Sequence, residues 1–250
     1  MYKPIKTVKS LKHQETICVD AFTVFCWNVA KLTLKSSYQE YLRSVAQDEN
    51  LDVLLLQEVK KEMAIELNLY DYSYVMSPNI QTKKHVYGVL SAFRMSCLSE
   101  RSLLTAKLEF GYATHKVALV TRHKMSNERE LLIVNLHAIN FVKNEDFQNE
   151  LEEIKSAVKW HKGAMIVAGD FNSWNVKRMR VLSEFVSSLS LKEALFNDNS
   201  KRKKVFSNCL DYIFYRDLEL VRSKVIDSPM SDHNPIVATF KNLDVSKESQ

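Results

Sequence analysis

Glycine is nearly missing from this chain, with 4 residues in 250, against an average of about 7%. Each glycine is therefore expected where the backbone needs one, and Gly169, directly before Asp170, is expected at a tight turn. No apolar stretch approaches the ~20 residues of a membrane-crossing helix. Residues 1–20 carry Lys3, Lys6, Lys9 and Lys12 but no apolar core segment, which argues against a secretory signal. They are expected to be a frayed basic extension before a single domain over 21–241 and a polar tail over 242–250. The four cysteines, Cys18, Cys26, Cys97 and Cys209, have no C-x-x-C or zinc-like spacing, so reduced thiols in a cytoplasmic protein are expected. Low-complexity linkers and internal repeats are also missing.

What is present is ordinary in bulk. A hydrophobic content of 46% and a charged content of 26% suit a soluble globular protein. The formal charge of +5 and pI near 8.9 favour polyanionic partners such as nucleic acid or acidic lipid headgroups. Much of the excess sits in Lys201-Arg202-Lys203-Lys204 and in Lys177, Arg178 and Arg180. Such a run forms either a solvated loop or a substrate contact.

The pattern alternates strands and helices. Strands are expected at 22–28, 51–57, 72–76, 87–93, 102–108, 115–121, 131–136, 164–168, 210–215 and 235–240. Helices are expected at 36–47, with Ser36 or Ser37 as N-cap, and at 60–69, 144–161 and 178–188. Continuous apolar runs such as LDVLLLQ and AMIVA predict strands buried on both faces. Many strands with few helices predict packed sheets with helices outside.

Five of these strands end in polar groups: Trp27-Asn28, Gln57-Glu58, Asn135-Leu136-His137, Asp170-Phe171-Asn172 and Asp232-His233. Asp211 begins another. Singly, each has a bland explanation: Asn28 as a strand terminator, Glu58 as a helix cap, His137 as a hydrogen-bonded core histidine. Together they put oxygen ligands and imidazoles at ends that one sheet edge can gather. Oxygen ligands suit a hard cation such as Mg²⁺, and accept Mn²⁺.

In this order the motifs W-N (27–28), L-L-L-Q-E (54–58), N-L-H (135–137), G-D-F-N (169–172), L-D-Y-I (210–213) and S-D-H (231–233) resemble the endonuclease/exonuclease/phosphatase superfamily. The resemblance covers about 22–240, and the stretches H-A-I-N-F and G-D-F-N-S-W-N are most similar to a little-characterised bacterial branch. It implies an α/β (α+β) fold, a four-layered α/β sandwich of two packed mixed sheets flanked by helices. It also implies metal-assisted attack of water on phosphorus. Glu58 then resembles the principal metal ligand, with Asn28 and Asp232 lining the metal site or holding the phosphate. Asp170 resembles the group that orients and deprotonates water, and Asn172 a donor to the phosphoryl oxygens. His233 matches the imidazole at the scissile phosphate, Asp211 its carboxylate partner, and His137 a second imidazole.

In the deoxyribonuclease I branch that second imidazole has a carboxylate partner, whereas the matching Gln81-Thr82-Lys83-Lys84-His85 contains none. The leading expectation is a nuclease or phosphodiesterase, with Lys60, Arg178 and Lys203 contacting flanking phosphates. Phe141, Trp174 and Phe206 either stack on bases or pack in the core. A phospholipid or inositol-phosphate hydrolase is the alternative, ranked lower because no basic amphipathic helix or exposed aromatic hairpin is legible. A non-catalytic binding protein is a third reading. A monomer is expected.

Overall fold

The protein was analysed as a computed structural model, which describes residues 7–13, 15–104, 116–126, 129–140 and 142–243. In the first half, β1 (Val8–Ser10) and β2 (Ala21–Asn28) precede α1 (Ser36–Asp48). Then come β3 (Val53–Glu62), β4 (Ser73–Gln81), β5 (His85–Phe93), β6 (Cys97–Leu104), β7 (Val117–Lys124) and β8 (Glu130–His137). The second half holds α2 (Asn144–Val158), β9 (Met165–Asp170), α3 (Val176–Ser188) and β10 (Lys192–Glu193). The short pair β11 (Lys204–Val205) and β12 (Asn208–Cys209) precedes β13 (Asp211–Arg216), β14 (Leu218–Val225) and β15 (Ile236–Asn242).

The strands make two mixed sheets, one ordered β1-β4-β5-β3-β2-β15-β14 and the other β10-β13-β9-β8-β7-β6. Apolar side chains such as Phe22, Leu55, Phe93, Ile133, Ile166 and Phe240 fill the space between them. On the outer face of the first sheet α1 lays Tyr38, Leu42 and Val45 against Trp27 and Leu54. On the outer face of the second, α2 and α3 pack Phe147, Leu151 and Phe185 onto Val134 and Val167. This is the expected layering, and it explains the continuous apolar runs: β9 is buried at every position because both its faces are covered.

Several local expectations need correction. Residues 60–69 do not form a helix: β3 runs on to Glu62, because Lys60 and Lys61 pair with Tyr87 and Val86 of β5. The N-cap of α1 is Lys35, without a side-chain cap bond, rather than Ser36 or Ser37. Val8–Ser10, expected to fray, pairs with Met76 to Tyr74 as an edge strand. Residues 105–108 and 115 of two expected strands lie outside the described residues. Gly169 lies in extended β9 rather than at a tight turn. Its φ is +148°, and an added Cβ would stand 1.9 Å from the Leu136 carbonyl oxygen, so it allows close approach of β8. The chain turns just afterwards, at Asn172, with φ of 49°.

Candidate active site

Strand register assembles the site. In the second sheet β8 and β9 run parallel with His137 opposite Asp170, and antiparallel β13 puts Asp211 opposite Asp170. Three polar groups thus stand in one row across three neighbouring strands. In the first sheet, parallel β2 and β3 put Asn28 opposite Gln57. A bulge follows between Leu56 and Val59, where Glu58 takes φ of 54°. Such a bulge re-aims a side chain, and Glu58 faces the cavity. Gln57 turns inward instead and donates to Asn135 Oδ1 at 2.7 Å, tying the two sheets together through fully buried amides. His233 comes from the loop before β15. Its carbonyl accepts from Trp27 Nε1 at 2.7 Å, and its N–H donates to Ser231 Oγ at 3.2 Å.

The charges interlock. His233 Nδ1 lies 2.8 Å from Asp211 Oδ2, and its Nε2 lies 3.9 Å from Asp170 Oδ2. Burial alone would lower the His233 pKa, but Asp211, with Asp170 and Asp232, overrides it and lifts it to about 9. Burial and the neighbouring Asp211 raise the Asp170 carboxyl; His233, Asn28 and Asn172 offset them in part. Asn28 Nδ2 donates to Asp170 Oδ2 at 3.1 Å and the Asn172 N–H to Oδ1 at 3.0 Å, fixing the carboxylate's orientation. His137 Nε2 stands 3.6 Å from Asp170 Oδ2 and 3.9 Å from Glu58 Oε1. Lys116 is its hydrogen-bond partner, with Nζ 3.1 Å from Nε2 and 3.4 Å from Nδ1. Burial first, then Lys116, His233 and Lys31, hold His137 well below the usual imidazole range, so its ring is neutral.

Asn28, Glu58, His137, Asp170, Asn172, Lys203, Asp232 and His233 all line one cavity of about 590 Å³. Asp211 lies behind His233. Three expected roles change. Arg178 is fully buried: it donates to the carbonyls of Ile139, Asn172 and Val142 and stacks over Phe147, so it braces the loop beside the site and touches no substrate. Lys60 is not among the lining residues; its backbone is clasped by Thr33. Asn172 Nδ2 donates to the Ala138 carbonyl at 3.0 Å, so Asn172 is at least partly a scaffold group. Asp232 is held by Lys203 at 2.7 Å. Partial burial opposes the shift, but that bond keeps its carboxyl below the ordinary range.

Trp174 is half-buried, its Nε1 donating to Asn140, Phe206 is 87% exposed, and Phe141 lies outside the described residues. Lys31 and Lys116, both lining the cavity, escaped the sequence reading because a lone lysine in a loop or before an apolar strand carries no pattern.

The donor set suits a hard cation. Glu58 and Asn28 offer oxygen at the cavity wall, and Asp211 Oδ1 is buried without a hydrogen-bond partner. Ligand atoms of Asp170, Asp211 and His233 also lie within 4.8 Å of one another. The 2.8 Å Asp211–His233 bond makes that pair a proton-holding unit, leaving Glu58 and Asn28 as the better cation face.

Comparison with known proteins agrees with this fold. The family model described as Endonuclease/Exonuclease/phosphatase family matches residues 25–233. A UPF0294 protein of Erwinia tasmaniensis is 31% identical over 223 residues, covering 87% of this chain and 80% of that one. The human Nocturnin catalytic domain has the same fold, with TM-score 0.67 at 20% identity over 89% of this chain and 93% of that one. So has a mannosyl-6-phosphatase of Bacteroides thetaiotaomicron, with TM-score 0.67 at 15% identity over 88% and 99% of the two chains.

Proposed function

Because this chain belongs to the Endonuclease/Exonuclease/phosphatase family, we propose that its cavity hydrolyses phosphodiester bonds of nucleic acid with the help of Mg²⁺ or Mn²⁺. The observation that carries this reading is the cluster of Asp170, His233 and Asp211, in which one carboxylate and one carboxylate-backed imidazole face the same space. A cation held by Glu58 and Asn28 would stabilise the negative charge that gathers on the phosphoryl oxygens. Asp170, oriented by Asn28 and Asn172, accepts the proton of the attacking water. His233 keeps its Nδ1 proton on Asp211 and presents Nε2 as a charged donor to the phosphoryl group. Neutral His137, with Lys116 beside it at the cavity wall, contributes a hydrogen bond and no proton transfer. Lys203 at the rim meets a flanking phosphate. The four free thiols suit a reducing cytoplasm.

Lys31 and Lys116 favour a second reading. Two ammonium groups beside His137 also suit a dianionic terminal phosphate, as in an inositol phosphate. A substrate panel with Mg²⁺ separates the two: single-stranded oligonucleotide, supercoiled plasmid, inositol phosphates and phospholipid vesicles. We expect cleavage of the nucleic acids. Release of inorganic phosphate from the inositol phosphates with both nucleic acids intact would replace the first reading by the second.

A further inference from the structure

Phe206 occupies a costly position that the fold does not explain. It is 87% exposed, more than any other large hydrophobic side chain among the described residues. It sits with Ser207 in the two-residue loop joining β11 to β12, whose register pairs Val205 with Asn208 and Lys204 with Cys209. Its φ is 56°, while Ser207 is not among the residues of positive φ. In such a hairpin the first loop position is the one glycine favours, and a bulky residue there is strained. Phe206 thus contributes neither core packing nor turn propensity. Its neighbours Lys203 and Val205 line the catalytic cavity.

The hairpin is rigidly mounted. Asn208 Nδ2 donates to the Trp174 carbonyl at 2.9 Å, the Cys209 carbonyl accepts from Ser173 Oγ and Tyr212 OH, and the Leu210 N–H bonds to the Lys203 carbonyl at 3.1 Å. The hairpin backbone is therefore held beside the cavity, with Phe206 at its tip.

We infer that Phe206 is a stacking platform for an unpaired nucleobase of the strand whose phosphate lies in the cavity, a specificity element resting on the nucleic-acid reading above. An aromatic face beside backbone-neutralising cations is how single strands are held without sequence preference. Lys203 and the exposed Lys204 supply those cations. A bilayer is the poorer occupant, because the exposed Lys204 and Ser207 flank this one ring.

The test compares wild type, Phe206→Gly and Phe206→Trp on a single-stranded oligonucleotide and on the same strand built with abasic spacers. Cleavage kinetics and fluorescence-anisotropy binding are both read. Wild type should show a KM roughly 5- to 100-fold lower for the strand with bases. Phe206→Gly should abolish that difference by raising KM on the base-bearing strand alone, with kcat unchanged, and Phe206→Trp should keep it. Phe206→Gly should melt no lower than wild type, since glycine relieves the positive φ, so lost binding could not be ascribed to unfolding. Equal KM for both strands in wild type, or an unchanged difference in Phe206→Gly, would overturn the platform while leaving the nuclease reading intact. If no strand is cleaved, the reaction reading falls, and binding decides the platform: base-dependent binding lost in Phe206→Gly upholds it, and base-independent binding overturns it. Phe206-dependent binding to phosphatidylserine vesicles, with base-independent oligonucleotide binding, would assign the ring to a membrane instead.

Discussion

His233 illustrates how a single residue draws its chemistry from its neighbours. Alone, a ring this buried would be neutral; Asp211 at 2.8 Å keeps it charged and fixes which nitrogen faces the cavity. His233→Ala should lower kcat by about 10²–10⁴ in initial rates, and should also lower the melting temperature in thermal unfolding, because it leaves the buried carboxylates of Asp211 and Asp170 without their positive partner. Arg178 behaves in the opposite way. Its guanidinium serves three buried carbonyls, so Arg178→Ala should destabilise the protein by about 2–4 kcal/mol in urea unfolding, with any loss of rate at low temperature following from loosened backbone at Ile139, Val142 and Asn172. The sequence singled out the first residue and took the second for a phosphate contact for one reason. Aspartate and histidine in an S-D-H motif have few structural uses together, whereas an arginine in a basic run looks solvated until the fold turns it inward.

Among the elements, the central strands were legible and the margins were not. β2, β8 and β9 are apolar at almost every position because both faces are covered, and that pattern survives in the sequence. β14 alternates Glu219, Arg222 and Lys224 with small or apolar residues at the sheet edge, and it reads as loop because an edge strand needs little burial. The helix expected at 60–69 failed because pairing to β5 overrode local helix propensity. The exposed aromatic hairpin was missed because β11 and β12 are two residues each, too short for any periodicity. Gly169 holds the register of β8 against β9, and with it the row of His137, Asp170 and Asp211. Gly169→Ala should cost about 3 kcal/mol or more, since its Cβ would meet the Leu136 carbonyl at 1.9 Å and the backbone is at φ +148°. Chemical denaturation would measure this, and a variant as stable as wild type would contradict the account of the strand register.

For the molecule as a whole, the two sheets must stay in contact for their ends to share one cavity. That contact includes polar groups buried between them, Gln57 with Asn135 and, further from the site, His123. The His123 ring takes part in hydrogen bonds at 2.9 Å with the Ser96 carbonyl and with Thr121 Oγ1, and it packs edgewise on Phe93. Burial lowers its pKa from 6.5 to about 4, against a smaller opposing effect of the Ser96 carbonyl. The fold therefore prefers the neutral ring. Above pH 6.5 both folded and unfolded chains hold it neutral and nothing is lost. Between 6.5 and about 4 the unfolded chain takes the proton first, so stability falls with pH, by on the order of 3 kcal/mol in all. Thermal unfolding across this window should show the loss, and His123→Gln should flatten it.

The central claim is that Asp170 and His233 hydrolyse a phosphoester beside a bound cation. It is tested most directly by single-turnover cleavage of a single-stranded oligonucleotide with saturating Mg²⁺, then EDTA, then Mg²⁺ in excess, for wild type and for Asp170→Asn. The account predicts cleavage that stops on chelation and resumes on re-addition in wild type, and a rate at least about 100-fold lower in the folded variant. Cleavage that continues in EDTA, or that survives intact in Asp170→Asn, would contradict it.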